Sequence, residues 1–414
     1  MIFLFIHQNF PGQYRHLVGH LSGRRGNKIY FITQPNENEI PGVEKIAYPA
    51  DSRSSVSCHA YSLEFDRAMY AGACVAHECR KLRDAGVRPD IIIGHSGWGE
   101  TLFVKDVFPD VPLLANFEFY YRSSEGGDVN FDPEFAMLFA DPSHLRARNA
   151  TNLLSWEAAD WGHSATQWQR GLYPEFMRRR ISVIHEGVDT DLARPNAAAR
   201  FLPPGAARPL TAKDEVLTYV ARNLEPYRGF HIFMRALPRL LSRRKNLQVL
   251  IVGGDRVSYG APPPPGKNFR EAMLEELGDS IDLERVHFLG QVDHGVYLQI
   301  LQVSTVHVYL TYPFVLSWSF VEAMASGCLV VGSATAPVLE LLQDGVNGLA
   351  VDFFSPEDLA RRVEEALDHP DRMRALRAAA RAMAVRRFDL KRVLLPRWSA
   401  LIDDLVAGRA PADR

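Results

Sequence analysis

The residues best suited to chemistry in this chain are a pair of arginines, a strand-end histidine, a few carboxylates and several backbone turns. Arg222 and Arg228 follow the apolar run EVLTYVA and precede the helical stretch FHIFMRALPRLL. Two cations at the end of a strand, facing a helix N-terminus, suit a diphosphate, because each charge-assisted hydrogen bond contributes about 1.5–3 kcal/mol. His95 closes the run DIIIGH. An imidazole there can donate to a hydroxyl while its second nitrogen is oriented by the protein. In the turn HQNFPGQ, Gly12 permits close approach to the backbone, and a buried or capping role for this loop is equally open. Cys58-His59 and the group Cys74, His77 and Cys79 carry soft donors, but their spacing matches no usual zinc pattern, so no metal site is assigned.

These groups need strands and helices to hold them. The chain has 414 residues, 47% hydrophobic, with 47 basic against 49 acidic side chains, which suits two or three domains with real cores. A net charge of -2 gives no excess that would advertise nucleic acid or an anionic membrane. The sparse cysteines and the lack of a leader-like N-terminus or a long apolar run suggest a cytoplasmic protein. Two series of short apolar strands alternate with helical stretches. The first holds MIFLFI, KIYFIT, DIIIGH, PLLANF, a short stretch near Asn152–Ser155 and ISVIH; the second holds EVLTYVA, LQVLIVG, VHFLG, VHVYL, CLVVG and GLAV. That alternation predicts an α/β protein with two Rossmann-like, doubly wound domains facing each other across a cleft. The first domain is expected over residues 1–186, a Pro/Ala/Gly-rich linker over 187–213 and the second domain over 214–392. The amphipathic segment at about 393–414 should pack back on the first domain. The run YGAPPPPGKN is expected to loop out of the second domain, because four prolines can join neither a helix nor a ladder.

The stretch HVYLTYPFVLSWSFVEAMASGCLVVGS resembles the signature of retaining glycosyltransferases of family 4, which have the GT-B fold. The resemblance implies that Glu322, the second glutamate of that signature, binds the ribose hydroxyls of a nucleotide-sugar; a carboxylate can accept two vicinal hydroxyls at once. The first glutamate of the signature is replaced by Phe314. The amides of Val315, Leu316, Ser317 and Trp318 remain available to sugar and phosphate, since donation by the backbone does not depend on the side chain. In YVARNLEPYRGFHIFMRALPRLL, Arg222 and Arg228 match the family's diphosphate-holding Arg and Lys, with one extra residue between them. RVHFLGQVDHG is similar to the turn whose backbone reads the nucleobase, which makes Gln291 and Val292 the candidate base contacts. The resemblance also places Gly12 near the donor and His95 beside the transferring sugar. Ser164, in a family-like turn, is expected to cap the helix after it. Glu118 and Tyr120 of FEFYY, with the loop SSEGGDVNFDP, are expected to shape the acceptor pocket. The frame around Asp189-Thr190-Asp191 argues against a metal site there.

The activity implied is metal-independent transfer of a hexose-type sugar, with retention, from a UDP- or GDP-linked donor to a hydroxyl acceptor. What the family commonly does suggests a glycan or lipid-linked glycan acceptor in bacterial surface polysaccharide or lipopolysaccharide synthesis. No cofactor and no nucleic acid are implied, and membrane contact is at most peripheral, at the inner face. The alternatives are a nucleotide-sugar-binding protein without turnover and a nucleotide-sugar epimerase.

Overall fold

The computed structural model describes residues 1–53, 57–122, 127–136 and 141–412. The chain divides into two compact units, one built from residues 1–125, 139–187 and 390–414, the other from 126–138 and 188–389.

The first unit has a seven-stranded parallel sheet: β1 (Ile2–Ile6), β2 (Lys28–Thr33), β3 (Val43–Ala47), β4 (Ile91–His95), β5 (Leu113–Asn116), β6 (Trp161–Ser164) and β7 (Ile181–Val183), in the order β3-β2-β1-β4-β5-β6-β7. The central strands are apolar on both faces, as a sheet covered on both sides requires. Phe3, Phe5, Ile29, Phe31, Ile91 and Ile93 pack on one face against Trp398, Leu401 and Ile402 of the helix Leu395–Val406. Leu4, Ile6, Tyr30, Ile32 and Ile92 face the other way, against Val75, Ala76, Cys79 and Leu82 of the helix Leu63–Asp84. Burial pushes the Cys79 thiol up to about 12, as expected of a packed rather than a ligating cysteine.

The second unit opens with a short antiparallel pair, β8 (Arg200–Phe201) and β9 (Leu210–Thr211). Its six-stranded parallel sheet follows: β10 (Val216–Asn223), β11 (Gln248–Gly254), β12 (Val286–Phe288), β13 (Val306–Tyr309), β14 (Leu329–Ser333) and β15 (Leu349–Val351), in the order β12-β11-β10-β13-β14-β15. Both sheets reverse strand order once, between β1 and β4 and between β10 and β13. The loops outside the carboxyl ends of those pairs form the crevice where open α/β sheets take ligands.

Four features depart from expectation. The stretch Asn152–Ser155 is not a strand; it lies within the helix Ala150–Ala158, and the strand is β6, nine residues on. Asn152 and Ser155 point into the core as hydrogen-bonding residues, Asn152 donating to the Phe119 carbonyl at 3.0 Å, which a short apolar count overlooks. Residues 188–213 are not a free linker, because Ala199 and Leu210 are buried with Val216 and Ile300 of the second unit. The loop SSEGGDVNFDP is divided. Its residues 123–126 lie outside the described residues, and residues 127–136 belong to the second unit. There Asp132 meets His231 at 3.1 Å and the Tyr312 hydroxyl at 2.9 Å, and Glu134 pairs with Arg235 at 2.6 Å. Last, Ser164 caps nothing: it ends β6 and donates to the Phe117 carbonyl at 2.6 Å, while Thr166 caps the helix Gln167–Leu172 by accepting from the Gln169 amide at 3.1 Å. Among the described residues no helix is long and apolar enough to cross a membrane.

His7, His163 and His307 are buried, and burial lowers each ring from 6.5 to about 3. Between those values the unfolded chain holds more protons than the folded one. Stability is therefore complete above about pH 6.5 and is lost as pH falls toward 3, by up to about 1.4 kcal/mol per pH unit for each ring. His163 packs edge-on against Trp398 at 4.6 Å, and neither ring nitrogen has a hydrogen-bond partner among the described residues. A His163→Phe variant is expected to show a shallower fall in Tm between pH 7 and pH 4.5 than the wild type; an unchanged slope in a thermal melt series would contradict this.

Candidate functional site

In the first unit the switch point gathers a chain of polar side chains. His7 follows β1 directly, and its Nδ1 accepts from the Asn9 amide at 2.8 Å, so the neutral ring carries its proton on Nε2. That nitrogen donates to Gln13 Oε1 at 2.5 Å, and Gln13 Nε2 donates to Glu118 Oε1 at 2.8 Å. His95, at the end of β4, accepts from the Gly97 amide on Nδ1 at 3.0 Å and directs Nε2 to Glu118 Oε2 at 3.4 Å. Burial would raise the Glu118 carboxyl, but the His95 contact and the Gln13 donor outweigh it and hold the group below its usual range. Trp98 stacks on His95 at 4.1 Å with 36% of its surface exposed. The result is a partly exposed carboxylate flanked by an oriented imidazole and an aromatic face, which suits neutral hydroxyl groups.

Gly12 has φ +55°, and a Cβ there would lie 2.6 Å from the His7 ring. The close approach that the glycine permits in this structure is to the protein's own imidazole. Tyr120 is partly buried, its ring packed on Tyr173 at 5.3 Å against the core.

In the second unit the residues after β10 and β13 interlock. Arg228 ends a 3-10 turn, Pro226–Arg228, and Gly229 at φ +66° starts the helix Phe230–Arg243; a Cβ on Gly229 would lie 2.5 Å from Leu310 Cβ. The Arg228 guanidinium is buried and donates to Thr311 Oγ1 at 2.7 Å and to the Val315 carbonyl at 2.9 Å. Among the described residues no carboxylate lies within ion-pair distance of it. The rings of Tyr259 and Phe314 face it at 5.4 and 5.7 Å. Of the four amides at the helix entrance, that of Ser317 is already engaged, donating to the Tyr309 hydroxyl at 2.8 Å, and Leu316 packs on the core. The Trp318 amide begins the helix Trp318–Ser326.

Arg222 is separated from Arg228. The pairing of β10 with β11 shifts register between Val220 and Asn223, a bulge at the strand end that contains Arg222. The bulge leaves Arg222 exposed, where it lines a pocket of about 330 Å³ with Gly253, Gln291, Val292 and Tyr297. Glu322 adjoins this pocket through Tyr297, whose hydroxyl donates to its carboxylate at 2.9 Å, and His294 Nε2 lies at 2.9 Å from the other oxygen. Two contacts were missed in the sequence, His294 and Tyr297, although both lie within the stretch RVHFLGQVDHGVYLQIL that resembles the base-reading turn.

Solved structures share this architecture over the whole chain. A sucrose-phosphate synthase from Thermosynechococcus elongatus superposes with a TM-score of 0.72 at 19% identity, covering 99% of this chain and 100% of its own. HepE of Anabaena in complex with UDP-glucose gives 0.65 at 16% identity, covering 99% and 98%. Two parallel, doubly wound units with these neighbours define the GT-B fold. Two family models match in succession, the glycosyl transferase family 4 group over residues 25–193 and the glycosyl transferases group 1 over 206–383, and the chain belongs to this family. Among its relatives is a D-inositol 3-phosphate glycosyltransferase of Mycobacterium sp. strain KMS, 31% identical over 190 residues, which cover 45% of this chain and 39% of the relative. The chain thus aligns with less than half the length of that relative.

Ala at position 12 would have to hold a left-handed backbone against the His7 ring. Gly12→Ala is expected to lower stability by about 1–3 kcal/mol, read as a lower denaturant midpoint at unchanged slope. A midpoint equal to that of wild type would show that the turn does not need the glycine.

Proposed function

We propose that this protein transfers a sugar from a UDP- or GDP-linked donor to a hydroxyl acceptor, with retention at the anomeric carbon. The observation that carries this reading is Arg228: a buried guanidinium at the switch point of the second sheet, hydrogen-bonded among the described residues to neutral oxygens only. An unpaired buried cation favours an anion strongly, and a diphosphate supplies one. The pocket lined by Arg222, Gln291 and Val292 is suited to a nucleobase, and Glu322 beside it to the ribose hydroxyls.

In this reading the bond from the anomeric carbon to the diphosphate oxygen breaks as the acceptor oxygen bonds to the same face. The acceptor's proton passes to the departing phosphate oxygen. Arg228 stabilises the charge growing on the leaving group, in place of a divalent cation, and no cofactor takes part. His95, its proton fixed on Nε2, orients a sugar hydroxyl against Glu118. A lipid-linked surface glycan is one acceptor. The names of the relatives, D-inositol 3-phosphate glycosyltransferase and sucrose-phosphate synthase, favour a second class, a small sugar or polyol phosphate. Binding without transfer is a second reading, favoured by Phe314, which brings an aromatic ring rather than a carboxylate beside Arg228.

A thermal-shift panel of UDP, GDP, ADP and their sugar conjugates, with and without EDTA, tests the donor site; ligand at 100 times its Kd stabilises by about 2.7 kcal/mol. One nucleotide series is expected to raise Tm equally in both conditions. A shift abolished by EDTA would overturn the metal-independent part, and no shift in folded protein would overturn the donor reading. On a confirmed donor, Arg228→Ala is expected to lower kcat on the order of 10²–10³, whereas Arg222→Ala chiefly raises the donor KM. Donor binding with no turnover on either acceptor class would move binding without transfer to the front.

A further inference from the structure

The loop after β11 is tied to the Arg228 site by a carboxylate that no motif singled out. Glu225 is fully buried, two residues past the end of β10, and it makes no ion pair with Arg228. Its carboxylate instead accepts three successive backbone amides: Ser258 at 3.1 Å, Tyr259 at 3.1 Å and Gly260 at 3.3 Å. Asn223 adds a fourth tie, donating from Nδ2 to Ser258 Oγ at 2.6 Å. The chain then runs into the largely exposed proline run at 262–265, which can contribute little to hold the loop in place.

The latch has a consequence at each end. At the loop it carries the Tyr259 ring against Phe314 at 4.9 Å and over the Arg228 guanidinium at 5.4 Å. Tyr227 completes the wall, 5.0 Å from Phe314 and 5.6 Å from Tyr259. At the turn it commits the buried Glu225 carboxylate to amide donors rather than to the guanidinium three residues on, and the buried Asp128 carboxylate is likewise taken by the Tyr227 hydroxyl. Aromatic faces solvate a cation through their quadrupole without cancelling its charge, and they exclude the water that would screen it.

We propose that Glu225 is a positioning residue that fixes Tyr259 against Arg228 and thereby sets how tightly this buried cation holds an anionic ligand. The proposal deepens the function proposed above and rests on its assignment of Arg228 to a diphosphate. Glutamine at 225 would turn an amide group toward donors, whereas aspartate keeps the charge on a shorter arm.

The test combines amide hydrogen exchange of the 258–260 segment with calorimetric binding of UDP, GDP, ADP and inorganic pyrophosphate. Glu225→Gln is expected to speed exchange at Tyr259 and Gly260 and to raise Kd of the tightest probe about tenfold, with Glu225→Asp in between. Tyr259→Ala should weaken binding similarly and Tyr259→Phe should restore it. The double variant Glu225→Gln/Tyr259→Ala should be no weaker than either single change, because both act through one loop. A merely structural role of Glu225 would predict additive losses and no rescue by the phenylalanine. Faster exchange with unchanged Kd, or additive losses, would overturn the proposal while leaving the donor reading intact. If Glu225→Gln does not fold, the two Tyr259 variants decide, since equal Kd for alanine and wild type overturns it. Wild-type protein that binds pyrophosphate but no nucleotide would overturn the donor reading alone, with the latch judged on pyrophosphate; binding of no probe would overturn both.

Discussion

A guanidinium removed from water is among the costliest groups a fold can carry, and the second unit is arranged around one. Replacing the hydration of Arg228 requires donors to be met at fixed angles, which Thr311 and the Val315 carbonyl do, and requires that the charge find an opposite partner or remain a source of strain. The turn that bears it is held by its own backbone: the Tyr219 hydroxyl donates to the Arg228 carbonyl at 2.7 Å, and Gly229 lets the helix start without a clash with Leu310. Its neighbour Tyr227 is anchored in turn by Asp128, whose segment reaches the second unit from the middle of the chain's first half. The placement of one charge thus explains a left-handed glycine, a cluster of aromatic rings and a long excursion of the chain.

The two switch points are built alike and differ in charge. In the first unit the polar chain from His7 through Gln13 to Glu118 ends on a carboxylate, with both imidazole Nδ1 atoms occupied by backbone amides. That row of side chains carries a negative charge and no positive one. The second unit offers a cation and, at the bulge, a second and more exposed arginine. Parallel strands of the same order can therefore present opposite electrostatics, because the ligand groups stand on the loops rather than on the strands.

Most of the strands were legible in the sequence, because strands buried on both faces read as unbroken apolar runs. The failures share a physical cause. The strand β3 is an edge strand with no fully buried residue, so Val43–Ala47 shows no apolar run. The helix Ala150–Ala158 and the strand Trp161–Ser164 bury polar side chains, Asn152, Ser155, His163 and Ser164, and so defeat a hydrophobic count. The site was legible at the level of motif and not of contact. The count of residues from Arg222 to Arg228 showed one more than the usual spacing, but only the structure shows that Arg222 stands exposed at a bulge of β10 while Arg228 is buried. Glu225 lay inside a motif read for its arginines, and its role depends on amides 33 to 35 residues away, a separation that no local pattern encodes.

The substitution that most unsettles the sequence reading, Phe314, takes a different meaning beside Arg228. Its ring centroid lies 5.7 Å from the guanidinium carbon, among Tyr227, Tyr259 and the turn at Thr311. A carboxylate in that space would stand close enough to neutralise the arginine and would bring its own hydration into a wall that is otherwise aromatic. Phenylalanine removes a hydroxyl-binding group, and at the same time it dries the wall and leaves the cation's charge uncancelled. In the proposed reading, the same residue therefore weakens polar recognition of a sugar and strengthens the hold on an anion. For a site whose leaving group is a diphosphate, that exchange shifts binding from the sugar toward the phosphates rather than abolishing it.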